Sequence, residues 1–389
     1  MRDDLIERKG IPIHELHFER VIEEVLGRFG RVTTISALVF TQMGFSTAYV
    51  IFIASNLNKI YPSISFTVFA LMMGPALILL CWIRELKWIT PVALAGMVAI
   101  GLAVGVVLYF CFVQLGNGIP EGAFLRAPWG SLPIAFGVNV YLFEGIGLIL
   151  PLESKMENPK SFVGIMWGVH LFVATLVSAF GLVGYLAFYN CTEGPIIRNL
   201  PATGPLIAVT VWGLNVCLLF TYPIQMVPVF QILEDFFLQP SLDKVRASCC
   251  GRRARCLEYG ACGSRHCLAS LRPRTRFLIK AMLLRALVVV VSVGFAISIP
   301  YFDLFLSLIG GLGSAQLMFI LPPIAYLACF WRSVSTPLKI ACFVLLIFGI
   351  GTLVVTTVFT VISIVSEFVH SGDNTTVCNI TYFLNQTEL

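Results

Sequence analysis

Nine stretches of this chain are apolar over roughly the 20 residues that a helix needs to cross a bilayer. They run approximately Val32–Ser55, Ile64–Ile83, Pro91–Val113, Leu132–Leu150, Val163–Tyr189, Leu206–Phe230, Phe277–Ile299, Leu304–Cys329 and Leu338–Ile364. Inside hydrocarbon each backbone N–H and C=O must find its partner within the protein, so segments of this length are expected to be helices. With 58% hydrophobic and 12% charged residues, the chain lies outside the range of soluble domains. The expected fold class is an all-α polytopic membrane protein with nine transmembrane helices.

Orientation follows from the basic residues, which gather on the cytosolic side. With a cytosolic N-terminus, all of the 26 Lys and Arg except Lys59, Arg126 and Arg198 fall on cytosolic segments or adjoining helix ends. The same arrangement puts the glycosylation sequons at Asn190, Asn374, Asn379 and Asn385 on the lumenal or extracellular side, where they can be modified. The expected organisation is a cytosolic amphipathic segment over 1–31 and a transmembrane domain over 32–365. A basic, Cys-rich cytosolic loop lies within it at 239–276, and a glycosylated outer tail covers 366–389. Residues 1–31 are charged and carry no apolar core of the signal-peptide kind. Phe18, Val21, Ile22, Val25 and Phe29 recur there at helical spacing and predict one apolar face.

The net charge of +5 reflects this positive-inside bias and is no argument for nucleic acid. The arginines of the 239–276 loop serve as topological anchors or attract anionic lipid head groups. Its Cys249, Cys250, Cys256, Cys262, Cys267 and His266 include no C-x-x-C pair, so neither a metal site nor a cofactor is expected. Cys249 and Cys250, beside basic residues near a membrane end, are palmitoylation candidates. Cys191 and Cys378 fall on the oxidising side and are the candidate disulfide pair.

Chemistry concentrates in the fourth span. Phe143-Glu144-Gly145-Ile146-Gly147 precedes Leu150-Pro151, and a carboxylate at membrane depth costs about 2.5–3.5 kcal/mol on insertion scales. Two glycines and a proline predict a broken helix, whose freed backbone groups can meet a substrate or ion. The alternative is a packed kink holding a protonated carboxyl. Thr41, Gln42, Ser46 and Tyr49 form a polar stripe in the first span; Asn215, Tyr222 and Gln225 are polar groups at membrane depth in the sixth. Each reads as pathway lining or as ordinary packing. His170 reads as a proton relay or a packing histidine, and Arg285 is expected to snorkel to the cytosolic interface. Gly101 with Gly105, and Gly164 with Gly168, predict close helix packing. The run Gly310, Gly311 and Gly313 allows bending or close approach.

The 143–147 motif followed by Leu150-Pro151-Leu152-Glu153 resembles the sixth helix of the amino acid/auxin permease superfamily, in its proton-assisted and vacuolar amino acid transporter subgroup. Gln42-Met43-Gly44-Phe45-Ser46 with Tyr49, Tyr222-Pro223-Ile224-Gln225-Met226 and Leu306-Ser307-Leu308-Ile309-Gly310 with Leu321-Pro322-Pro323 match it in order. The resemblance implies eleven helices, ten of them in two inverted five-helix repeats, and the nine spans here look like the third to the eleventh. The family's first two helices have no counterpart in this sequence, so a truncated gene model, a fragment or a splice form is expected.

The resemblance implies transport of small neutral amino acids, coupled to protons, by alternating access around the broken helix. Phe143, Glu144, Gly145, Ile146, Gly147, Gln42, Tyr49, Asn215 and Tyr222 are the expected substrate-binding residues. The competing reading is a truncated, non-transporting membrane protein that regulates, senses or binds partners. No enzyme is expected, because no nucleophile–base set occurs. The membrane is that of the cell surface or of an endolysosome or vacuole.

Overall fold

The structure, a computed structural model, describes residues 18–83, 90–118, 129–146, 149, 153, 156–158, 161–201, 204–258 and 271–370, without the side chains of 90–93, 239–258, 271–276 and 370. Ten α-helices follow in order, and no strand occurs among the described residues. They are α1 Phe18–Ile60, α2 Phe66–Trp82, α3 Thr90–Asn117, α4 Leu132–Leu142, α5 Phe162–Phe188, α6 Pro205–Glu258, α7 Leu271–Ser298, α8 Phe302–Ile309, α9 Leu321–Phe330 and α10 Thr336–His370. Two stretches of π-type backbone, Gly310–Ser314 and Gln316–Ile320, join α8 to α9.

The chain is an all-α polytopic membrane protein. Among the described residues, seven helical stretches are long and apolar enough to cross a membrane, the α8–α9 run counting as one. Two of the nine expected spans are shorter. α2 has 17 residues, or about 25 Å at 1.5 Å per residue. α4 has 11 and stops where its helix unwinds. Large apolar side chains such as Trp167, Phe172 and Ile347 stand outward on α5 and α10. Water would not tolerate faces of that size, whereas lipid does.

α1 is the central post. About 72% of its most apolar window is buried, against 17% for α5 and α10. Phe45, Ile51, Leu77, Tyr222, Met226, Val289 and Phe305 form one core around it, drawn from α1, α2, α6, α7 and α8. The cause lies in its residues: Gly44, Ser46, Thr47 and Ala48 are small enough to let neighbouring helices close in. At its start, α1 bends at Gly27, where φ is 69° and ψ −161°. That left-handed φ favours glycine, and it corrects the expected single apolar face. Val21 and Ile22 are buried, but Phe29 is 82% exposed, because the bend resets the helical phase between them.

Two other expectations change. A Cβ placed at Gly101, Gly105, Gly164 or Gly168 would meet nothing within 4 Å, so these glycines pack against no neighbouring helix. α3 uses another face instead, with Gly96 against Cys217 and with Ala103, Val107 and Phe110 buried. α6 runs on as helix to Glu258 through much of the stretch expected as loop.

Arg285 does not snorkel. Its Nε donates to Glu234 Oε1 at 2.7 Å and its Nη1 to the Cys81 carbonyl at 2.9 Å, while its guanidinium lies 4.9 Å from the Phe230 ring centre. Both charged side chains are about nine-tenths buried, and the group ties α2, α6 and α7 together. Removing one member of a buried pair typically costs about 3–5 kcal/mol because the other charge is stranded. Arg285→Met is therefore expected to lower the thermal midpoint sharply in detergent, and adding Glu234→Leu to restore most of it. Equal midpoints for the single and double variants would show that the pair is not coupled.

Candidate functional site

The break in the fourth span is built by local hydrogen bonding. α4 ends at Leu142. The N–H of Phe143 still donates to Asn139 at 3.1 Å and that of Glu144 to Tyr141 at 3.4 Å. Glu144 and Gly145 then leave helical geometry, and helix resumes at Ile146. The Ile146 N–H would be orphaned at this restart. It donates instead to Glu144 Oε1 at 3.2 Å, so the carboxylate caps the continuing segment much as an N-cap residue does. Glu144 Oε2 is buried and has no hydrogen-bond partner. A Cβ at Gly145 would meet nothing within 4 Å, so open space adjoins the unwound backbone. Gly147 lies outside the described residues.

Tyr141, one turn before Glu144, connects this break to α1. Its ring stands edge-on to Phe45, with centroids 4.5 Å apart at 77°. Its hydroxyl is within electrostatic reach of both Tyr49 and Glu144. On the other side, His170 of α5 stacks on Phe143 with centroids 6.4 Å apart, and its Nδ1 lies 2.8 Å from the Met166 carbonyl. That contact engages one ring nitrogen within its own helix and puts the imidazole against the break.

A second feature is a polar seam between α1 and α6. Gln225 Nε2 donates to Gln42 Oε1, and Asn56 Nδ2 donates to Asn215 Oδ1 at 3.4 Å. Tyr49 lies within electrostatic range of Cys217, between these two pairs. As the α1 number rises the α6 number falls, so the helices are antiparallel. Gln42, Ser46, Tyr49 and Asn56 recur at the three-, four- and seven-residue steps of one helix face. Three buried polar atoms on these two helices, Ser46 Oγ, Tyr222 Oη and Asn215 Nδ2, have no hydrogen-bond partner. Tyr222 lies beside Ser292, whose Oγ is 3.0 Å from Thr47 Oγ1, without forming a well-made bond to it.

The expected site residues therefore divide. Phe143, Glu144 and Gly145 form the break, and Tyr49 lies within electrostatic range of Tyr141, one turn before it. Ile146 packs its side chain against the cluster of Ala37, Leu38, Leu317 and Leu321. Gln42 and Tyr222 lie along the seam. Asn215 meets Asn56, seven residues and about 10 Å along α1 from Tyr49. Sequence reasoning left out Tyr141 and did not pair Gln42 with Gln225. For Tyr141 the available signal was its position three residues before Glu144, on the same helix face.

Cys191 is disulfide-bonded; its expected partner Cys378, like Asn374, Asn379 and Asn385, lies outside the described residues. Asn190 sits in the short 3-10 turn Tyr189–Cys191 that follows α5. Among the described residues no group of three or more His, Cys, Asp or Glu could hold a metal ion.

A membrane bundle with an unwound, carboxylate-bearing helix beside a polar helix pair has the architecture of a solute carrier. This chain belongs to the family of transmembrane amino acid transporter proteins, whose model matches residues 13–367. It is 30% identical over 309 residues to amino acid transporter ANT1 of Arabidopsis thaliana, covering 76% of this chain and 65% of that protein. It is 26% identical over 309 residues to the proton-coupled amino acid transporter-like protein pathetic of Drosophila melanogaster, covering 76% and 57%. It is likewise 26% identical over 325 residues to vacuolar amino acid transporter 4 of Saccharomyces cerevisiae, covering 78% and 43%. The chain spans less than two thirds of the length of each of these relatives.

Proposed function

We propose that the protein takes part in proton-coupled transport of small neutral amino acids, by alternating access around the break at 143–147. The observation that carries this reading is Glu144 itself. One carboxylate oxygen caps the restarted helix and the other is buried without a partner, next to open space at Gly145. A substrate ammonium or a proton can satisfy that second oxygen. Unwound backbone at Gly145 offers N–H and C=O groups to the substrate, as half-helix ends do in other transporters, and Gly147 is proposed to contact it too. Gln42 and Tyr49 close the flank from α1, with Tyr222 and Asn215 further along the seam.

In this reading the N-terminus is cytosolic, and the bundle end with Lys59 and the Asn190 sequon faces outward. Cys191 pairs with Cys378, and the sequon asparagines carry glycans. The vacuolar relative and the secretory sequons favour a vacuolar, endolysosomal or surface membrane.

The test is uptake of radiolabelled L-alanine by the chain in proteoliposomes. Uptake is expected to rise when the outer solution is made acidic and to collapse when a protonophore removes the gradient. Uptake indifferent to the gradient would remove the coupling. No uptake of any small neutral amino acid would remove the transport reading for this chain.

A further inference from the structure

Past the break, the α1–α6 seam continues to the Lys59 end of the bundle. There it meets a cavity of about 150 Å³ whose lining includes Asn56, Lys59, Tyr61, Ile207, Val211 and Trp212. At about 30 Å³ per water that is space for roughly five waters. Such a volume suits a small zwitterion and is about half the lower limit for drug-sized ligands.

Among the described residues that line this cavity, Lys59 is the one charged side chain. Its Nζ donates to the carbonyl of Leu200 at 2.8 Å and to that of Arg198. An ammonium has three N–H groups, so one is left, and neither partner is an anion. Glu193 acts on Lys59 only at longer electrostatic range. Glu193 pairs with Arg198 at 2.7 Å, and the Asp303 carboxylate lies against Gly194. Neither lines the cavity.

Beside Lys59 stands the buried amide pair. Asn56 is 3% exposed; its Nδ2 donates to Asn215 Oδ1, and the Oδ1 of Asn56 stays available as an acceptor. Asn215 is 4% exposed, and its Nδ2 has no partner. Ile207, Val211 and Trp212 supply an apolar wall.

A cation with no carboxylate in contact, amide groups and an apolar wall are what the carboxylate, ammonium and side chain of a small amino acid require. We propose that this cavity is an outer binding site for a small neutral amino acid, separate from the break. The substrate carboxylate accepts from the remaining N–H of Lys59, its ammonium donates to Asn56 Oδ1, and its side chain rests on Val211 and Trp212. The site lies at one end of the polar seam, so a molecule leaving it inward meets Asn215 and then Tyr49. The ligand's identity rests on the transport reading; the site's geometry does not.

Lys59→Gln separates the charge from the fold, because a glutamine amide still offers two N–H groups to the loop carbonyls. The measurement is equilibrium binding of radiolabelled L-alanine to the full chain in nanodiscs, for wild type, Lys59→Gln and Glu144→Gln. A thermal midpoint equal to that of wild type verifies that Lys59→Gln leaves the fold intact. Two binding components are expected in the wild type. Lys59→Gln should weaken one of them by about tenfold or more, and alaninamide, which lacks the carboxylate, should fail to displace it. Glu144→Gln should affect the other. Unchanged affinity and stoichiometry in Lys59→Gln would overturn the outer site, as would a single component sensitive only to Glu144→Gln. A single component lost only in Lys59→Gln would support the outer site and remove the reading of the break. No alanine binding by any of the three would overturn both.

Discussion

Replacing Gly310 with valine is expected to unseat the fourth span and lower stability by about 3 kcal/mol or more. A Cβ at position 310 would fall onto the carbonyl oxygen of Gly137, and within 2.9 Å of both the Gly137 carbonyl carbon and the Tyr141 nitrogen. These are backbone atoms of α4, which cannot turn aside as a flexible side chain can. The facing glycine is equally confined, since a Cβ at 137 would come within 2.5 Å of Ser307 Oγ and 2.8 Å of the Ser307 carbonyl. Gly310 also opens the π-type stretch, so its neighbours are already fully committed to packing. Because Tyr141 sits on the same α4 surface, displacing the helix shifts the connection among Phe45, Tyr141 and Glu144. Gly351→Ala is the matched control, because a Cβ there meets nothing within 4 Å. In detergent, Gly310→Val should unfold at a lower temperature or fail to elute as a single species, and Gly351→Ala should behave as wild type. Equal behaviour of the two variants would mean that α4 is not seated on this segment.

That contact illustrates what the sequence could and could not convey. Runs of apolar residues announce spans because the bilayer sets their length, and Phe143-Glu144-Gly145 announces a break because two local penalties coincide there. Both are properties of neighbouring residues. The glycines at 101, 105, 164 and 168 have the same spacing as packing glycines, yet they face open space; spacing identifies a face and not what covers it. Gly310, in a run that read equally as bending or close approach, is the one with backbone against it. Arg285 reads as a snorkelling residue until Glu234, 51 residues earlier, and the Cys81 carbonyl are brought beside it. The pairing of Gln42 with Gln225 spans 183 residues and was equally out of reach. The stripe itself was visible on α1, and its continuation to Asn56 and Lys59 became evident only when α6 lay along it.

The second large effect is functional. Glu144→Gln is expected to cut alanine uptake by about tenfold or more while the protein still reaches its membrane. The substitution is nearly isosteric, and its Oε1 can still accept from the Ile146 N–H, so the cap on the restarted helix survives. What disappears is the exchangeable proton and the negative charge at the second oxygen. A proton-coupled mechanism through this carboxylate therefore loses its driving step, and tenfold corresponds to about 1.4 kcal/mol of lost stabilisation. Glu144→Ala removes the cap as well, at about 1 kcal/mol more, and should lower expression together with uptake. The discriminating readout is alanine exchange across liposomes without a proton gradient. If Glu144 only carries the proton, Glu144→Gln retains exchange and loses gradient-driven accumulation. If Glu144 also binds the substrate ammonium, both fall together. Full accumulation in Glu144→Gln would place the coupling proton elsewhere, and His170, stacked on Phe143, would be the next residue to replace.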